Sequence, residues 1–203
     1  MRLRKHRGFS LLELMITVSI ALILMGATYM GMRPLLYKGH IDGAYTTTLA
    51  VLRNTRHLAI TQSHEYLVVF NNATGTMTVQ YQPPAVGGVF PAVQLVQTYT
   101  LPADMSFGVR AGLPASTPDG FGTGIASVDF GQGLGAGSLS YVAFMPDGTS
   151  RDTLGNYNSG VVYITRASDT INTSRAVTVW GATGRVRGWR LDQVAGAPTW
   201  VQQ

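Results

Sequence analysis

Gly8-Phe9-Ser10-Leu11-Leu12-Glu13-Leu14-Met15 opens an apolar run that continues to Met32. From Phe9 to Met32 the only ionisable side chains are Glu13 and the weakly acidic Tyr29. As a helix at roughly 1.5 Å per residue, this run spans about 36 Å, enough to cross a hydrocarbon core of about 30 Å. Before it lies a short leader carrying Arg2, Arg4, Lys5 and Arg7. A basic flank of this kind stays cytoplasmic, so the remainder of the chain is expected to be exported.

Glu13 does not fit a plain anchor. A charge at the centre of a membrane helix costs on the order of 2.5–3.5 kcal/mol and needs a partner. One reading is local: Ser10-Leu11-Leu12-Glu13 has capping-box spacing, and the helix dipole favours an acid in the first turn. The other reading is intermolecular. If the chain is cut after Gly8, Phe9 becomes a new N-terminus and its amine lies one turn from Glu13. Two axially shifted helices would then pair amine with carboxylate and neutralise both in lipid. The two readings are compatible. A secretory signal peptide fits poorly, because the run is too long, contains Glu13 and lacks a small-x-small site at its end.

A basic leader, Gly-Phe-Ser-Leu-x-Glu and about twenty apolar residues resemble a type IV prepilin from Arg2 to Met32. The resemblance implies cleavage between Gly8 and Phe9 by a prepilin peptidase, and N-methylation of Phe9. It also implies burial of the helix in a filament core, with Glu13 in the assembly position. The expected partners are that peptidase, other pilin or pseudopilin subunits and the inner membrane. The expected location is the bacterial inner membrane, single-pass with the head in the periplasm, and entry into a pilus or pseudopilus filament.

Downstream, Pro34 removes a helix donor and would kink an interior helix, and Gly39 and Gly43 loosen the same region. A helical pattern resumes from Ile41 to about Gln62. Tyr45, Leu49, Leu52 and Ala59-Ile60 share one face, and Arg56 is its one charged interruption. The stretch Leu52 to Ile60 resembles the corresponding region of the GspH/FimT group of minor pilins and pseudopilins, with Thr55 in place of the group's usual Ala. The period then changes. Tyr66–Phe70 and Met77–Tyr81 read as a hairpin, Val93–Leu101 and Met105–Arg110 as strands, and the Gly/Pro-rich stretch Ala111–Gly124 as a surface loop. Ser140–Met145, Gly160–Thr165 and Arg175–Trp180 are further strands, and Pro146-Asp147-Gly148 is a turn. Phe-x-Pro-Asp-Gly, Arg-x-Val-x-Val and Thr-Gly-Arg-Val-Arg resemble the C-terminal half of a GspH/FimT head.

The expected fold class is therefore α+β: a long N-terminal helical spine packed on an antiparallel β-rich head, pilin-like. The expected division is a removable leader (1–8), a transmembrane or filament-core helix (9–32), its continuation (33–62) and a periplasmic head (63–203). With no cysteine, the head has no disulfide and must be held by sheet packing.

The chain has 15 Lys+Arg and 10 Asp+Glu, but four of the basic residues are in the leader. Eleven against ten remain after cleavage, so net charge gives no argument for nucleic-acid binding. No chemistry of an enzyme is legible. The glycine run 131–137 lacks the Lys-Ser/Thr of a phosphate loop and is followed by a strand pattern. His57 and His64 are too far apart for a helical metal pair. Asp147–Asp152 lacks EF-hand spacing. No cofactor and no metal are expected.

One constellation remains: Arg185, Arg187 and Arg190. On a strand, Arg185 and Arg187 point to one face about 7 Å apart, while Val186 points inward. That spacing suits successive phosphates, and Trp189 adds a surface for base stacking. Gly184-Arg185-Val186-Arg187 resembles a motif associated in the FimT branch with DNA binding during natural transformation, which makes DNA a candidate partner. The competing reading is an exposed strand edge carrying Arg for solubility and against edge pairing. The expected function is that of a minor pilin or pseudopilin, a structural or priming subunit of a type IV pilus or type II secretion pseudopilus. The alternative is a DNA-binding minor pilin acting in DNA uptake.

Overall fold

The computed structural model describes residues 10–131, 139–166 and 173–203, without the side chains of 31 and 33–37. The leader, the Gly8–Phe9 junction and most of the glycine run therefore lie outside the described residues. The chain forms two compact units, Met1–Gly39 and His40–Gln203. A single helix, α1 (Leu11–Gln62), supplies residues to both. It runs unbroken through Pro34, where the sequence suggested loosening.

In the first unit, Leu11–Met30 is long and apolar enough to cross a membrane, with a mean hydropathy of 2.1 and none of it buried. Its hydroxyls are satisfied within the helix. Thr17, Ser19 and Thr28 donate to the carbonyls of Leu14, Met15 and Leu24 at 2.9, 2.7 and 2.8 Å. In lipid, such internal bonding spares each hydroxyl the cost of being unpaired.

In the second unit the helix buries Ile41, Ala44, Tyr45, Val51, Leu52 and Ala59, at three- and four-residue steps. Two threonines complete this face. Thr48 and Thr55 are fully enclosed, and each hydroxyl bonds the carbonyl four residues back, Ala44 at 2.9 Å and Val51 at 2.7 Å. Ile60, expected inside, is 40% exposed.

The head that meets this face is wholly antiparallel. One sheet has the order β3 (Gln94–Thr100), β2 (Thr76–Gln82), β1 (Glu65–Asn71), β6 (Tyr141–Phe144), β7 (Ser150–Arg151). The other runs β11 (Ala197–Gln202), β10 (Arg185–Val194), β9 (Arg175–Trp180), β8 (Gly160–Arg166), β4 (Met105–Phe107). A short β5 (Val128–Phe130) also pairs with β8. Inward residues of both sheets, such as Val68, Phe144, Ile164 and Val186, join the helix in one core.

The second sheet is covered on its outer face as well. Val161, Tyr163, Ala176, Leu191 and Trp200 form a second cluster there, against Val109, Leu113 and Phe121. The stretch Ala111–Gly124 is thus not a free surface loop. Its apolar residues Leu113 and Phe121 find an apolar sheet face, and its glycines supply the left-handed backbone needed to lie flat on it. Gly122, for example, has φ +80°, and a Cβ there would overlap Val161. This covering explains why β8 is apolar at every position from Val161 to Ile164: both faces are inside.

Candidate functional site

Two regions carry candidate function, one in each unit. In the first, Leu14 N–H donates to the Ser10 carbonyl at 3.1 Å, so Ser10 is the residue immediately before the first turn of α1. Glu13 lies in its first turn. The capping box is not formed: among the described residues neither Ser10 Oγ nor the Glu13 carboxylate makes a hydrogen bond. The carboxylate therefore stands on an exposed apolar helix with its acceptor capacity unused by any described residue.

In the second region, the Gly-Arg-Val-Arg stretch opens β10. Val186 points inward as expected and is buried in the main core. The three arginines do not form one free row. Arg187 Nη1 donates to Asp119 Oδ1 at 2.7 Å, and its guanidinium lies 5.7 Å from the Trp180 ring centroid. Asp119 is almost fully buried and also accepts from Thr178 Oγ1. Arg190 pairs with Asp192 at 2.6 Å. Trp189, the expected stacking surface, instead donates from Nε1 to Thr178 Oγ1 at 3.0 Å and packs on the second cluster. Arg175, upstream, is buried and pairs with Asp42 of α1 at 3.1 Å. Of these four arginines, only Arg185 is exposed with no carboxylate partner among the described residues.

The fold gives Arg185 different companions. Arg53 and Arg56 of α1, Thr183, Gly184, Arg185 and Val186 line an open depression of about 460 Å³. Among the described residues no carboxylate pairs with any of these three arginines. Arg56 is held as a strut. Its Nε donates to the Gly148 carbonyl at 3.0 Å and its Nη2 to the Thr183 carbonyl at 2.9 Å, joining two turns that are remote in sequence. Arg53 reaches the Val186 carbonyl at 3.5 Å.

Gly184 has a structural reason of its own. Its φ is +58°, and a Cβ would overlap both the Gly148 carbonyl oxygen and Arg56. The sequence did carry a signal for this site. Arg56 is the one charge on an otherwise apolar helix face, and Arg53 lies one turn before it.

The comparisons with known proteins bear on the first region. A family model described as the prokaryotic N-terminal methylation motif matches residues 3–29. The chain's N-terminus matches a prepilin methylation motif. The resemblance of the basic leader, Gly8-Phe9 and the apolar run to type IV prepilins is met by this match. No curated protein matches the chain. Among solved structures it is similar to the type IV minor pilin FimU of Pseudomonas aeruginosa strain PAO1. The identity is 11% and the TM-score 0.44, over 75% of this chain and 90% of that one. It is also similar to the minor pseudopilin EpsH of the type 2 secretion system of Vibrio cholerae. There the identity is 10% and the TM-score 0.35, over 81% of this chain and 96% of that one.

Proposed function

We propose that the chain is a minor pilin or pseudopilin, a subunit that acts by polymerising and not by catalysis. The observation that carries this reading is the methylation-motif match, which falls on an exposed apolar helix whose one acid, Glu13, has no partner among the described residues. Residues 1–8 form the leader, removed after Gly8 by a prepilin peptidase, and Phe9 is then methylated. Residues 9–32 anchor the chain in the bacterial inner membrane, 33–62 continue the helix, and 63–203 form a periplasmic head.

On assembly the helix leaves lipid for the filament core. There the Phe9 amine of one subunit neutralises Glu13 of an axially shifted neighbour. The pairing removes a desolvation cost that each group bears alone, and so favours the assembled state. Mass spectrometry of the membrane-extracted protein co-expressed with a prepilin peptidase should show Phe9 first and methylated. Glu13→Ala should leave that processing intact while lowering the fraction of processed protein recovered in sheared filaments or cross-linked to other pilins. A chain beginning elsewhere, or full recovery of Glu13→Ala, overturns the reading.

A second reading, DNA contact, is favoured by the depression lined by Arg53, Arg56 and Arg185, which offers guanidinium donors to a phosphate with no carboxylate competing. It rests on Arg185 with these two helix residues, because Arg187 and Arg190 are already neutralised by Asp119 and Asp192. Arg185→Ala, which should flatten the salt dependence of single-stranded DNA affinity, tests it.

A further inference from the structure

Every described aspartate of the second unit accepts a hydrogen bond from another described residue, most of them from an arginine. Glu65 is the exception. It opens β1, half-buried, and among the described residues nothing donates to its carboxylate. Burial raises its pKa, with no bond or cation to offset the rise, so water does not replace the hydration this carboxylate has lost. From Tyr66 to Ala103 the chain contains no Asp, Glu, Lys, Arg or His, so neither β2 nor the loop after it brings a cation to Glu65.

Glu65 lines a depression of about 240 Å³, together with Gln82, Pro83, Phe90, Met145 and Pro146. These walls are held in place by local bonding. Ser63 lies in the left-handed region at φ +56°, and His64 N–H donates to the Ala59 carbonyl at 3.2 Å, which turns the chain out of α1 into β1. Gln82, opposite Glu65 in register, donates from Nε2 to the carbonyls of Pro83 and Pro91 at 3.3 and 3.0 Å. Between those prolines, Val86 and Val89 exchange hydrogen bonds at 2.9 and 3.1 Å around Gly87 and Gly88, both with positive φ. This tight hairpin sets Phe90, 68% exposed, at the rim of the depression. With Nε2 committed to the loop, Gln82 keeps Oε1 as a second acceptor that no described residue uses.

An occupant that completes this site carries positive charge, donates N–H groups and offers apolar surface to proline, methionine and an aromatic ring. A small metal ion or an ammonium group is strongly hydrated and gains little from such walls. A guanidinium is more weakly hydrated, presents several donors in one plane to a carboxylate and a neighbouring acceptor, and packs on an aromatic face. Its aliphatic stem can lie along the prolines. Val86 and Val89, exposed beside Phe90, extend the apolar area that a polypeptide around the arginine would cover.

We propose that this depression receives an arginine side chain of a partner protein, with Glu65 as its counter-ion, Gln82 Oε1 as the second acceptor and Phe90 as the ring it packs on. The proposal rests on the head alone and is independent of processing, of Glu13 and of DNA contact.

The test uses the full chain in uncharged detergent micelles, with glutamate labelled at Cδ by carbon-13. The chain has two glutamates, Glu13 and Glu65, so two carboxyl signals result, and Glu13→Gln assigns them. The probe is the peptide Ac-Val-Arg-Val-NH2, and its citrulline counterpart, alike in shape but uncharged, is the control. The arginine peptide should shift the Glu65 signal saturably and leave Glu13 unmoved, and the citrulline peptide should move neither. Glu65→Gln should raise the dissociation constant, read from the Gln82 and Phe90 amides, at least about tenfold. Phe90→Ala should raise it about two- to fivefold. The comparison of peptides on the wild type does not depend on any variant folding. A Glu65 signal that the arginine peptide leaves in place overturns the proposal, as does an equal response to citrulline or to the lysine peptide. So does a Glu65→Gln chain that keeps its near-UV spectrum and binds as tightly as the wild type.

Discussion

Gly188→Ala adds one methyl group to β10 where the strand passes under α1. The added Cβ would overlap the Tyr45 hydroxyl and crowd the ring carbon that bears it. Tyr45 is buried in the main core, and burial raises its hydroxyl pKa against the opposing influence of Arg53 and Arg175. The ring cannot swing clear without disturbing Ile41, Ala44 or Val186, which share that core. Overpacking of this kind costs about 1–3 kcal/mol. For a unit of this size that is roughly 2–12 °C in Tm, at about 2–4 °C per kcal/mol.

The assay is thermal unfolding of the full chain in detergent, followed by near-UV circular dichroism. Four chains complete a double-mutant cycle: wild type, Gly188→Ala, Tyr45→Leu and both together. Leu is shorter than Tyr and vacates the position of the hydroxyl. The double variant should therefore be more stable than the sum of the single losses implies, with a coupling of about 1 kcal/mol or more. A Gly188→Ala chain that unfolds with the wild type, or strict additivity in the cycle, would refute the close approach of helix and strand.

The arginines divide by function. Arg187→Ala strands the buried Asp119 carboxylate and should cost roughly 2–4 kcal/mol in chemical denaturation, below the full cost of a buried pair because Arg187 is partly exposed. Arg185→Ala should leave stability unchanged. If DNA is a ligand, it should flatten the log–log salt dependence of single-stranded DNA affinity by about 1. Absence of wild-type binding at low salt removes the DNA reading. Acid should weaken the head through three carboxyls that lie below their ordinary range. At Asp104 partial burial acts upward but is outweighed by hydrogen bonds from His40, its own main chain and Arg166. At Asp147 the Thr149 hydroxyl is the leading cause, and at Asp192 the Arg190 guanidinium. A depressed folded pKa stabilises above the unfolded value and loses that contribution as pH falls through the folded one. The Tm should therefore hold above about pH 4 and decline below it, less steeply in Asp104→Asn.

Most of the architecture was legible because it follows from short-range regularities. Twenty-four residues with one acid specify a membrane-length helix wherever they occur. Alternation in Tyr66–Phe70 and Met77–Tyr81, and the turn at Pro146-Asp147-Gly148, follow from pleat and dihedral preference, and the structure places strands and a turn there. The site was less legible. Nothing near Arg187 in sequence announces Asp119, sixty-eight residues away, because that pairing exists only once a Gly-rich stretch folds over the outer face of the second sheet. Nothing near Arg185 announces Arg53 and Arg56, which arrive on a helix that packs under the sheet. Pattern reading also sees β3 as one strand among many, since alternation and propensity are properties of a segment. That it stands at the edge of its sheet, beyond the core and without charge, is decided by which strands take the interior positions, and that is a property of the whole chain.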